Sequence, residues 1–132
     1  MDLSQIEVPD TATIHIEHPT LGKLYTEDKQ PCEIVVYGPA SDKAMAWKRR
    51  ATKIATERLS KGLKGFARTS PSELEAVELE RLVTLTADVH NIELGGEKIT
   101  AANVRNLYSD PKFGWLRDQV AEKLGSWEDF LS

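Results

Sequence analysis

The chain has 132 residues, 29% charged and 40% apolar, with a formal net charge of −4 and a pI near 5.4. That length supports one domain with a modest core, and the acidic balance argues against a general nucleic-acid binder. The sequence has no run of about 18 apolar residues to span a membrane. The acidic opening Met1–Asp10 lacks the apolar stretch of a secretory signal. A lone Cys32 cannot form an internal disulfide, which fits a reducing compartment such as the cytosol.

In chain order, residues 1–10 are expected to be a flexible leader ending at Pro9-Asp10. In residues 11–18, Ile14 and Ile16 alternate with His15 and Glu17, the period-two pattern of a half-buried strand. Pro19 and Gly22 bracket a turn, and Leu24 and Tyr25 should open a second short strand. Ile34 to Tyr37 is a β-branched and aromatic run that Gly38-Pro39 ends. Residues 11–39 are therefore β-rich, a small antiparallel sheet that needs a helix on one face.

Residues 41–132 are expected to be mainly helical. Ser41 suits an N-cap and Asp42 the first turn. From Asp42 to about Lys61, Ala44, Trp47, Ala51, Ile54, Ala55 and Arg58 form one stripe, with Leu59 near its edge. Gly62 and Gly65 end that helix. Ser70, Pro71 and Glu73 read as a capping box for a second helix, faced by Leu74, Val77, Leu82, Leu85 and Val89 and widened by Leu79 and Val83. Gly95-Gly96 suits the turn of a hairpin within Asn91–Ile99. Thr100 should cap a short helix carrying Val104, Leu107 and Tyr108, and Ser109-Asp110-Pro111 should recap the chain. Phe113, Leu116, Val120 and Leu124 fall at helical spacing up to Gly125, and Ser126 could cap a last turn with Trp127, Phe130 and Leu131. The whole is a single α+β domain over residues 1–132: a small N-terminal antiparallel sheet followed by a mainly α-helical region.

Charge is segregated along the two central helices. Residues 43–68 hold nine basic side chains against Glu57 alone, whereas residues 73–97 hold seven acidic ones against Arg81 alone. The basic cluster of Lys48, Arg49, Arg50, Lys53 and Arg58 admits three readings. It is a solvated surface whose long side chains cover apolar neighbours, a contact face for an acidic partner or another copy, or a set of phosphate contacts. No nucleic-acid-binding motif accompanies it. Trp127, Phe130 and Leu131 either complete the core or anchor a partner.

Catalytic signals are weak. His15 and His18 have no further ligands at metal spacing. His90 fits a helix C-terminus, and Cys32 fits packing. The nucleophile elbow, phosphate-binding loop, dinucleotide fingerprint and zinc-protease motif are all missing from the sequence. The expectation is a non-enzymatic protein with no catalytic residue, no cofactor and no metal.

The order of features resembles a known family. YGPASD (37–42) leads into the basic KRRATKIATERLSKG (48–62), and a tract from Gly95 to Leu131 joins a capped short helix, Tyr108, a Pro-led helix and an aromatic tail. Over about residues 12–131 this is similar to the tail assembly chaperones of long-tailed bacteriophages. The resemblance implies a protein in the host cell cytoplasm that binds the tape measure protein, keeps it soluble and helps recruit tail tube subunits. It also implies displacement during assembly, a second, longer frameshifted form, and no fixed catalytic residues. A chaperone for a long helical client needs apolar grooves rimmed by charge, and self-association would extend such a groove, so a homo-oligomer is expected. The alternatives are a tail or virion structural protein and, less favoured, a small nucleic-acid-binding regulator using the basic helix.

Overall fold

The structure, a computed structural model, describes residues 1–60, 71–126 and 130; of residues 58–60, 71 and 72 it describes the backbone. The strands are β1 (Thr11–His15), β2 (Glu17–His18), β3 (Gly22–Lys23), β4 (Glu33–Tyr37), β5 (Thr86–His90), β6 (Glu93–Leu94) and β7 (Glu97–Lys98). The helices are α1 (Asp42–Ser60), α2 (Pro71–Thr84), α3 (Val104–Tyr108) and α4 (Gly114–Leu124). The α+β class is as the sequence implies.

The main sheet is antiparallel in the order β1-β4-β5. Its register pairs Ile14 with Ile34 and Ala12 with Val36 on one side, and Val89 with Ile34 and Thr86 with Val36 on the other. One face therefore carries Ala12, Ile14, Ile34, Val36, Thr86 and Val89 against the core, and the other presents Thr11, Thr13, Glu33, Val35, Tyr37 and Asp88. The alternation expected for Ile14 and Ile16 holds, although β1 ends at His15. Ile16 continues the pairing through its N–H to Cys32 O at 2.9 Å and is fully buried.

The third strand corrects the sequence reading. It comes from beyond the second helix, and Val89 lies on it, not on that helix. α2 stops at Thr84, with a last helical bond from Leu85 N–H to Arg81 O at 3.0 Å, and Leu85 O then accepts the Tyr37 N–H at 2.8 Å. The cause of the misreading is local. The ladder shifts between Val35 and Val36, leaving Ala87 as an extra residue. The bulge resets the alternation, so Thr86 and Val89 both face inward three residues apart, a spacing that imitates a helix stripe. His90 consequently ends a strand, where its Nε2 lies 3.3 Å from Asp88 Oδ2.

Smaller expectations fare variously. The Gly95-Gly96 hairpin forms, both glycines at positive φ (60° and 85°) as a two-residue turn of this hand requires. The strand expected to open at Leu24-Tyr25 is instead β3, Gly22–Lys23, paired with β2, while Tyr25 bridges to Pro31. Thr100 starts a turn four residues before α3, its hydroxyl accepting the Ala102 N–H at 3.2 Å. Asp110 recaps the chain, accepting the Lys112 N–H at 3.0 Å, and Gly125 ends α4. The leader is tied at its end: Val8 packs on the core and Asp10 O accepts the Gly38 N–H at 2.6 Å. The mainly helical part after Ala40 is interrupted by β5, β6 and β7. The proposed Ser70 cap and the Gly62 and Gly65 helix stop lie outside the described residues.

α3 and α4 close the core face with Val104, Leu107, Tyr108, Leu116 and Val120. A polar clamp holds α4 to the N-terminal strands. Gln119 Oε1 accepts the Glu17 N–H at 2.9 Å and Gln119 Nε2 donates to Glu17 O at 2.7 Å.

Candidate interaction surface

α1 leaves the sheet at Gly38. The Ser41 hydroxyl donates to Gly38 O at 2.6 Å and accepts the Ala44 N–H at 3.2 Å, so one buried side chain closes the turn and caps the helix. The sequence stripe is covered in its first half, where Ala44, Trp47 and Ala51 are half-buried. Farther out Ile54 is 36% exposed and Ala55 is exposed. α2 mirrors this. Leu82 and Leu85 are buried near its end, but Leu74 and Val77 in its first half are 59% and 40% exposed. The far halves of both central helices thus carry apolar side chains that the core does not cover, beside strong charge.

The cations of α1 have different environments. The Arg50 guanidinium sits 5.6 Å from the Trp47 ring centroid, a cation–π distance. Arg50 also contributes to holding the Glu80 carboxyl below the usual carboxylate range, a shift caused chiefly by the hydrogen bond from Arg105. On α2 itself Arg81 pairs with Glu78 at 2.7 Å. Mutual neutralisation of the two helices is therefore partial. Lys48, Arg49 and Lys53 are exposed and make no ion pair among the described residues. Arg49 and Lys53, four apart, share the outer face of α1 with the exposed Met45. Thr52 and Thr56 on that face turn their hydroxyls back to Lys48 O and Thr52 O, both at 2.9 Å, which leaves the two cations as its polar donors among the described side chains.

The other expected partner residues separate. The Arg58 side chain, Trp127 and Leu131 lie outside the described residues. Phe130 is 1% exposed within the core cluster, so its role as a ready partner anchor is corrected to that of a core residue. Its ring is held against the chain at Gly38, where an added Cβ would meet Phe130 Cδ1 at 3.1 Å.

Sequence reasoning missed a groove of about 450 Å³ between the base of α1, the end of α2 and the end of α4, lined chiefly by Tyr37, Trp47, Leu85 and Leu124, with Lys48 and Arg81 as its cations. Met45 on the polar side of α1 was the available signal.

Two further hollows lie at the opposite end of β4, with Cys32 in the wall of both. One is an open cleft of about 980 Å³ beside Tyr25, Asp88 and His90; the other is an apolar pocket of about 270 Å³ beside Leu24, Phe113 and Trp115. Burial pushes the Cys32 thiol pKa up, away from a reactive thiolate, and its Sγ donates to Asn91 O at 3.3 Å. The histidines hold structure. His15 Nε2 donates to Leu24 O at 2.9 Å, and His18 Nδ1 accepts the N–H groups of Thr20 and Leu21 at 3.1 and 3.2 Å while its ring meets Trp115 edge-on. Among the described residues no group of three or more His, Cys, Asp or Glu side chains is placed to hold a metal ion, and no helix is long and apolar enough to cross a membrane.

Comparison with protein-family models, with curated proteins and with solved structures finds no match to this chain.

Proposed function

We propose that this protein works by holding other polypeptides, as a tail assembly chaperone that binds the tape measure protein and helps recruit tail tube subunits in the host cytoplasm. The observation that carries the reading is the exposed apolar set Ile54, Leu74 and Val77 on two charged helices, α2 anchored in the core through Leu82 and α1 only half-buried at its base through Ala44, Trp47 and Ala51. A long amphipathic client helix needs such a surface: aliphatic contacts for its apolar stripe, and cations that set register and encounter rate. Arg49 and Lys53 supply those cations without giving up an ion pair among the described residues. Self-association would repeat the surface along the client.

The test is co-expression with a tape measure protein encoded just downstream, followed by affinity capture. Leu74→Ser with Val77→Ser is expected to weaken capture by about tenfold or more. Arg49→Glu with Lys53→Glu is expected to weaken it in a salt-sensitive way, and both variants should keep the wild-type melting temperature. A tape measure protein equally soluble and equally captured with either variant would sink the reading. Retention of the protein in purified virions would favour a structural tail component, and steeply salt-dependent DNA binding would favour the regulator.

A further inference from the structure

We infer that two copies of this chain pair through α2, the exposed first half of α2 in each copy seating in the groove at the base of α1 in the other. The inference does not need the chaperone reading, because it stands on complementarity within one chain; the pairing covers Leu74 and Val77, so a client helix would compete with the second copy for them. The groove offers Tyr37, Trp47, Leu85 and Leu124 as apolar wall and Lys48 as an exposed cation without an ion pair among the described residues. Its occupant should be a helix with exposed aliphatic residues one turn apart, flanked by carboxylates. This chain presents that segment itself: Leu74 and Val77 are exposed beside the exposed Glu75.

The placement of the two surfaces favours exchange between two copies. Leu74, Val77, Arg81 and Leu85 follow one another at helical spacing, so the exposed pair and the groove share one side of α2. Val77 and Leu85 are separated by about 12 Å along the axis. A two-fold axis across that side runs the helices antiparallel and brings Leu74 and Val77 of each copy to the groove of the other. The contact is then self-complementary and closes at two members. It also brings the acidic first half of each α2 to the cationic base of its partner's α1.

Sedimentation equilibrium of the full chain, alone in solution, tests this. The wild type is expected to fit a monomer–dimer equilibrium. Leu74→Ser with Val77→Ser should raise the dimer Kd by about tenfold or more, and Lys48→Glu and Glu75→Lys should each raise it several-fold. The double variant Lys48→Glu/Glu75→Lys should recover most of the loss, an outcome that damage to the fold would not produce. Far-UV circular dichroism of each variant should match the wild type. A wild type that stays monomeric at several hundred micromolar, oligomers larger than two, or charge swaps that fail to rescue would overturn the inference. Capture of a tape measure protein by a chain shown to be monomeric would overturn it while leaving the proposed function standing.

Discussion

Tyr108 shows how one buried polar atom is accommodated. Its hydroxyl lies 2.8 Å from Thr86 Oγ1, and the Thr86 proton is already committed to Leu82 O at 2.7 Å, so the phenol donates and the threonine accepts. Burial raises the Tyr108 pKa from 10.0 to about 12. Below pH 10 folded and unfolded chains both keep the proton. Between pH 10 and 12 the unfolded chain loses it first, so stability falls by about 1.4 kcal/mol per pH unit and the loss levels off above that window. Urea unfolding of wild type and Tyr108→Phe at pH 9 to 12 checks this. The variant should be about 1 kcal/mol less stable at pH 9 and should lack this part of the alkaline slope. Equal slopes in the two proteins would refute the assignment.

Among the elements, the junction of β4 and α1 bears the most constraint. Gly38 lies where the leader, the sheet and the C-terminal aromatic meet. A Cβ there would stand 2.7 Å from Pro9 O and 3.1 Å from Phe130 Cδ1, and the first neighbour is backbone that cannot swing aside. Gly38→Ala should therefore cost about 1–3 kcal/mol, measured by chemical denaturation, whereas a variant as stable as wild type would mean the leader is not held there. The same junction directs α1 away from the core. Its first two turns pack through Ala44 and Trp47, and every side chain from Thr52 to Glu57 is exposed. Helix propensity is adequate over this stretch, but from Thr52 to Glu57 tertiary packing adds little to it.

The whole molecule divides into a closed core and an open pair of helices. Phe130 reaches back from the C-terminal end into a cluster that also holds residues of β4, β5, α2, α3 and α4. Phe130→Ala should cost about 3–5 kcal/mol. Leu74→Ser, on the exposed half of α2, should change stability by no more than about 0.5 kcal/mol. Thermal melts of the two variants measure this contrast. Comparable losses would mean that the far half of α2 is as well packed as the core. Exposed apolar residues kept at no gain to the fold are what a surface built for another chain requires.

Much of this organisation is legible in residue order because its causes are local. The β-branched and aromatic run at Ile34–Tyr37, the Ser41 cap, the Gly95-Gly96 turn and the Asp110-Pro111 restart each depend on neighbours within a few positions. The opposed charges of α1 and α2 are likewise plain in the sequence. Tertiary structure alone decided three matters. It drew residues 86–90 from a helical stripe into the sheet, because β4 has a second edge to pair and a bulge at Ala87 lets both Thr86 and Val89 reach the core. It moved Phe130 from the candidate anchors into the interior. It also separated the cations: Arg50 turns to Trp47 and Glu80, Lys48 to a groove, and Arg49 and Lys53 outward. Periodicity reports which side of an element is apolar, but which side meets protein and which meets water depends on residues distant in sequence.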